Sequence, residues 1–248
     1  MTSRLQVGAS LLAALGWAVS AVHAADPNRL TEDERRAGWR LLFDGRTTAG
    51  WVEVTGKPFP TNCWRVEDGS LKAIVRTDGF QDIRTGDSFR FFELQFDWKL
   101  LKAGNSGVKY LIQRVDEWTN AAGRQARARG LEYQLADDAS DEVGSDPKRV
   151  AGALYSLIAP TPRVPPKIGE FNHSLLVVRP GHVEQWLNGT KVVEFDPANA
   201  EVRKLLRDDL PKNSPPDAPL VESSPISLQN HSSEAWFRNL KVRVLSAH

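Results

Sequence analysis

"HSLLVVRPGHVEQWLNGTKVVEFD", residues 173–196, divides into three apolar runs separated by two tight turns. Pro180-Gly181 makes the first turn, since proline presets its backbone angle and glycine accepts positive φ. Asn188-Gly189 makes the second, a dipeptide suited to the twist of a two-residue hairpin. The stretch reads as an antiparallel meander. Upstream, "FFELQFDWKL" (91–100) sets Phe92, Leu94, Phe96, Trp98 and Leu100 on one side and Glu93, Gln95, Asp97 and Lys99 on the other. That two-residue period is the signature of a half-buried strand. "SGVKYLIQR" (106–114) follows across a Gly-Asn-Ser turn and is predicted to form a hairpin with it.

Further strands are predicted around 64–75, 131–136 and 152–158, with a final pair at 225–230 and 235–245. Helical signals are few. Thr31 and Glu34 have capping-box spacing in "TEDERRAGW", and 198–212 reads as one surface helix. Many short antiparallel strands with one or two short peripheral helices define an all-β sandwich or jelly roll. No internal repeat or linker interrupts residues 39–246, so one domain is expected, spanning 38–248 after a lead-in at 25–37.

The 248 residues carry a formal net charge of +1, which excludes the basic stripe of a nucleic-acid binder. The densest basic run, "GRQARARG" (123–130), reads as a solvated loop. At the N-terminus, Arg4 precedes an apolar run from about Val7 to Val22, and Val22 and Ala24 sit at the minus-three and minus-one places of a signal-peptidase site. The run is shorter than the roughly 20 residues that span a bilayer, and no later segment is longer. Residues 1–24 are therefore expected to be a cleaved signal peptide. The mature chain is expected to be exported, periplasmic or secreted, with no membrane span. One cysteine, Cys63, cannot form an internal bridge and is expected to be buried and inert.

The elbow, phosphate-loop, dinucleotide and zinc-protease motifs are missing from the sequence. What remains is a pattern of faces. In "GLEYQLADD" (130–138), Leu131, Tyr133 and Leu135 point one way, so Glu132 and Gln134 project oppositely. In "ISLQNH" (226–231), Ile226 and Leu228 face the core and Gln229 and His231 do not. Carboxylate, amides and imidazole on one open sheet face suit the hydroxyls of a sugar. Solvation of an outer sheet face accounts for the same pattern equally well.

The segments "GWRLLFDGRTTAGW" (38–51), "NSGVKYLIQR" (105–114), "LEYQLADD" (131–138), "GALYSL" (152–157), "FNHSLLVVRPGHVEQWLNGTKVVEFD" (171–196) and "ISLQNHSSEAWFRNLKVRVL" (226–245) resemble, in order, the bacterial DUF1080 family of 3-keto-disaccharide hydrolases and 3-keto-glucoside lyase/hydratases. The resemblance implies a concanavalin A-like jelly roll and an oligosaccharide or glycoside substrate already oxidised at C3. It implies elimination at C1 after C2 proton abstraction, with hydration of the resulting glucal. His231 is the implied base or a ligand of a metal that polarises the ketone, and Glu132 the partner acid/base. Asn105, Arg114, Gln134, Tyr155 and Gln229 would hold the sugar. No cofactor is certain, and a divalent metal ion is left open. The family's usual ending is Gln-Asp-His-Gly; here it is Gln229-Asn230-His231-Ser232, an amide in place of a carboxylate. Two other readings stand beside this one: a lectin-like module without chemistry, and a conventional two-carboxylate glycoside hydrolase.

Overall fold

A computed structural model of the chain describes residues 27–75 and 78–246; the expected signal peptide lies outside them. In chain order the elements are α1 (Glu32–Arg36), β1 (Arg40–Leu41), β2 (Trp51–Glu53), β3 (Trp64–Glu67), β4 (Ser70–Ala73), β5 (Gly79–Gln81), β6 (Ile83–Thr85), β7 (Phe92–Leu100), β8 (Asn105–Asn120), β9 (Gly123–Ala136), β10 (Asn172–Arg179), β11 (His182–Leu187), β12 (Thr190–Phe195), α2 (Ala200–Asp208), β13 (Ser227–Leu228) and β14 (Ala235–Val244). They form a jelly-roll sandwich of two sheets. The first runs β12-β11-β10-β7-β14-β4-β3, with β1 added beside β14; the second runs β2-β6-β13-β8-β9-β5.

The meander forms as the turns dictate. Asn188 and Gly189 take φ of 49° and 84°, the paired positive values that the hairpin turn requires. Strand β7 is central to the first sheet, and its five alternate apolar side chains all lie in the core. Facing them are Val108, Tyr110, Leu131, Tyr133, Leu135 and Leu228 of the second sheet. Phe96 meets Tyr133 edge-on across the interface at 5.6 Å between ring centroids. Polar atoms that enter this core are paired: Tyr133 Oη donates to the carbonyl of Trp186, and Tyr110 Oη to Gln185 Oε1. Cys63 is fully buried as expected, which pushes its thiol up to about 11. Thr31 caps α1 with both capping-box hydrogen bonds in place.

Four expectations need correction. Strands β7 and β8 do not make a hairpin: the turn between them carries the chain from one sheet to the other. The predicted final pair separates in the same way, β13 joining the second sheet and β14 the first. Local alternation reports that a strand exists, and partner choice depends on contacts distant in sequence. Residues 152–158 contain turns with isolated bridges at Leu154 rather than a strand. "GRQARARG" is the first half of β9, not a loop. Its alternate alanines, Ala126 and Ala128, are buried with Val54 and Ile112, and its alternate arginines hid that period behind their charge.

The second sheet rolls back on itself. Its path ends at β5, yet β5 and β6 are separated only by Asp82. A break in register between Tyr110 and Arg114, with Leu111 at φ 48°, bends β8 so that the far end of β9 reaches β5. The face away from the core thus becomes the inside of a hollow.

Candidate active site

Alternation along β8 and β9 places Asn105, Gly107 and Lys109 beside Glu132 and Gln134 on that inner face, with Gly107 opposite Gln134 and Lys109 opposite Glu132. Gly107 makes the arrangement possible. A Cβ there would lie 2.2 Å from Glu132 Oε1, so the carboxyl rests across bare backbone. Lys109 Nζ lies 3.4 Å from Glu132 and 4.0 Å from Asp82, and donates to the carbonyl of Ala128 at 3.0 Å. Asp82 is fully buried and accepts from the backbone N–H groups of Ala128 and Asn230, each at 3.1 Å. It thereby holds β9 and the segment leading to His231 in one frame.

His231 enters the same electrostatic neighbourhood, with Arg127, Glu142 and Lys109 acting on it. Burial pushes its imidazole down, and Arg127 pushes it further. Burial pushes the Glu132 carboxyl up, against the pull of Lys109 and Arg127 and with the help of Asp82. Both shifts favour the neutral form, so a neutral imidazole and a carboxyl reluctant to ionise share one enclosure. Tyr155 completes the wall. Its hydroxyl donates to Glu142, and burial with that bond raises it to about 12.

Two amide oxygens in this enclosure have no protein partner although buried, Gln134 Oε1 and Gln229 Oε1. Gln134 Nε2 is 3.4 Å from Asn105 Oδ1, which orients its amide. Unsatisfied buried acceptors cost stability. They are what a ligand's hydroxyl groups would satisfy. Beside this chamber, Glu132, Lys109, Tyr155, Leu205 and Asp209 line a cleft of about 150 Å³ against α2. Asp209, at the C-terminus of α2, is also raised by burial despite Arg114 nearby.

The structure therefore gathers Glu132, His231, Asn105, Gln134, Gln229 and Tyr155. It sets Arg114 apart: the guanidinium bonds Asp116 at 2.7 Å and the carbonyls of Asp208 and Leu210 at 3.0 Å, tying β8 to the end of α2. Asn230 is fully buried, and its amide donates to the carbonyls of Cys63 and Ile74. A carboxylate could not make those bonds. The amide is a fastener here, and it anchors the backbone beside His231.

Sequence reading missed Asp82, Lys109, Arg127, Glu142 and Asp209. Lys109 carried a signal, a lone cation between Val108 and Tyr110 on the face that Glu132 shares. Asp82 carried none, since its meaning depends on the sheet closing around it. As for a metal, the Lys109 ammonium already lies between the Asp82 and Glu132 carboxyls, so the chain supplies the neutralising charge a divalent ion would bring. Among the described residues, the one group of three ligand side chains close enough to share an ion is His182, Glu184 and Glu194, on the other sheet, where Lys191 pairs with both glutamates.

A jelly roll whose inner sheet face encloses an acid, a base and unpaired amide oxygens is the construction of a carbohydrate-active enzyme, of the glycoside hydrolase or lyase type. Residues 38–243 match the 3-keto-alpha-glucoside-1,2-lyase-like domain, and the chain belongs to that family. It is 30% identical over 233 residues to a 3-keto-disaccharide hydrolase of Bacteroides thetaiotaomicron, covering 84% of this chain and 79% of the relative. A crystal structure of a candidate glycosyl hydrolase from Parabacteroides distasonis superposes with a TM-score of 0.71 at 29% identity, over 89% of this chain and 100% of that one. A second from the same organism gives 0.61 at 30% identity, over 84% and 99%.

Proposed function

We propose that the chain cleaves 3-keto-glycosides by elimination followed by hydration. The observation that carries this reading is the acid and base of opposite shift in one enclosure, beside a buried cation. The C3 ketone acidifies the C2 proton, and neutral His231 takes it. The electron pair left on C2 forms the C2–C3 double bond and the carbonyl π pair moves to O3, giving an enolate whose oxygen faces the positive charge of Lys109. The enolate then reforms the ketone, its C2–C3 π pair becomes a C1–C2 double bond as the C1–O bond breaks, and protonated Glu132 gives its proton to the departing oxygen. The product is a 2-hydroxy-3-keto-glucal. Hydration runs the steps in reverse with water: Glu132 takes the water's proton as its oxygen joins C1, and His231 returns a proton to C2. Gln134, Gln229 and Asn105 hold sugar hydroxyls. The chain works outside the cytoplasm, its first 24 residues removed on export, which N-terminal sequencing of the secreted protein checks.

The test is incubation of the purified protein with a 3-keto disaccharide and with its unoxidised parent. Cleavage of the keto sugar alone is the expected result; cleavage of neither removes the proposal. Cleavage of both favours direct hydrolysis by two carboxyls. That reading has one observation behind it, since Asp209 lines the same cleft as Glu132.

A further inference from the structure

Asp209 stands where a carboxylate is poorly served. It is the C-cap of α2, and a helix C-terminus disfavours negative charge. Its side chain is only 20% exposed. Arg114 Nη1 grips the carbonyls of Asp208 and Leu210, on either side of it, at 3.0 Å, yet lies 3.9 Å from the Asp209 carboxyl. Among the described residues no hydrogen bond reaches that carboxyl, and burial raises it above the ordinary carboxylate range. A largely buried acceptor without a donor costs stability unless a ligand supplies one.

The carboxyl borders a cleft. Asp209, Tyr155, Leu157 and Leu205 line about 150 Å³ between β9 and α2, and Glu132 and Lys109 form the end that it shares with the chamber. Sites for drug-sized ligands begin at about 300 Å³, so half that volume suits one ring rather than a chain. The lining has two characters. The leucines and the Tyr155 ring offer an apolar wall, and Asp209 offers an acceptor, which together match the C–H face and the hydroxyls of a pyranose. In the mechanism proposed above, Glu132 protonates the oxygen that leaves C1. That oxygen therefore sits at the shared end. The keto sugar lies on one side of it with Gln134 and Gln229, and the departing group lies on the other, in the cleft.

Resting on the keto-glycoside reading, we propose that the cleft between β9 and α2 is the leaving-group subsite, that it takes a second sugar ring, and that Asp209 is its specificity-determining residue, accepting hydrogen bonds from that ring's hydroxyl groups. An alkyl or aryl leaving group touches the apolar wall and gives Asp209 no donor. The acceptor then stays unsatisfied, and a site built around a hydroxyl rejects a substrate that lacks it. Selection among leaving groups is thus made at the end of α2, away from the carbons that react.

The experiment compares the full chain with Asp209→Ala and Leu205→Trp on a 3-keto disaccharide and on the methyl glycoside of the same keto sugar, which keeps the reacting centre and leaves the cleft empty. The wild-type protein is expected to prefer the disaccharide in kcat/KM. Asp209→Ala should lower kcat/KM on the disaccharide by about tenfold, with a much smaller fall on the methyl glycoside. It should not lower the midpoint of urea unfolding, because the carboxyl that it removes has no hydrogen bond to lose. Leu205→Trp narrows the cleft and should shift the preference in the same direction; should it fail to fold, Asp209→Ala decides alone. Equal losses on both substrates, full activity of Asp209→Ala on the disaccharide, or a wild-type protein indifferent to the leaving group overturns the proposal and leaves the keto-glycoside reading standing. If the wild-type protein cleaves neither keto sugar, that reading has failed and the inference with it.

Discussion

The outer faces of the two sheets treat buried charge in opposite ways. On the first sheet, Glu93 is nearly buried and paired with both Arg179 and Arg243. Burial pushes the neighbouring Asp97 carboxyl up, but His173, Asn239 and Arg238 together hold it below the ordinary range. Cations stack on rings there as well, with Lys72 and Lys99 at 4.4 and 4.3 Å from the Trp236 ring centroid. The second sheet's inner hollow keeps Gln134 Oε1 and Gln229 Oε1 without partners and holds Glu132 and His231 away from their usual ionisation. On the first sheet Arg238 Nε alone lacks an acceptor among the described residues, and it still lies 3.5 Å from Asp97, so the network there stabilises the fold. A network missing its last members is a mould for something absent.

The largest effect that would test this contrast lies in the rate. Glu132→Gln and His231→Ala should each lower kcat by about 10²- to 10⁴-fold on a 3-keto substrate while the protein stays folded. Asp97→Asn on the first sheet should leave kcat within twofold. Steady-state kinetics checks all three, and a matching loss in the Asp97 variant would erase the distinction between the faces.

Stability gives the next effect. Asn230→Asp replaces two donated hydrogen bonds with a carboxylate facing two carbonyls, near buried Asp82, and should cost about 1–3 kcal/mol in urea unfolding. Gln134→Met should go the other way. It removes a buried acceptor that lacks a partner, so it should hold or raise the unfolding midpoint while lowering kcat/KM. If it destabilises as Asn230→Asp does, the Gln134 oxygen has a structural partner after all.

The smallest effect is the pH dependence. His231 must be neutral to accept a proton, and its affinity for protons is depressed, so the acid limb of kcat/KM should fall below the ordinary imidazole value of 6.5. Glu132 must be protonated to donate, and its affinity is raised, so the alkaline limb should lie above 4.5. The alkaline limb should vanish in Glu132→Gln. Stability follows the same logic. Below pH 6.5 the unfolded chain takes up a proton that folded His231 resists, so unfolding becomes easier as the pH falls through that range, and His231→Gln should flatten the slope.

How much of this was legible before folding depended on distance along the chain. The meander, β7 and the paired faces of Glu132 with Gln134 and of Gln229 with His231 follow from alternation and turn chemistry within a few residues, and all were readable. The sheet to which each strand belongs was not, which is why the turn before Asn105 resembled a hairpin. Nor was the role of Asp82, 148 positions from the backbone group it accepts. The alternating arginines of 123–130 hid a strand because charge outweighed period.

Gly107 has a use beyond this chain. Any side chain at that place would strike the carboxyl lying over it, and would do so without harming the sandwich beneath. A survey of related genomes could therefore sort working enzymes from sugar-binding descendants at a single column: where that glycine has been exchanged, the scaffold should persist and turnover should be gone.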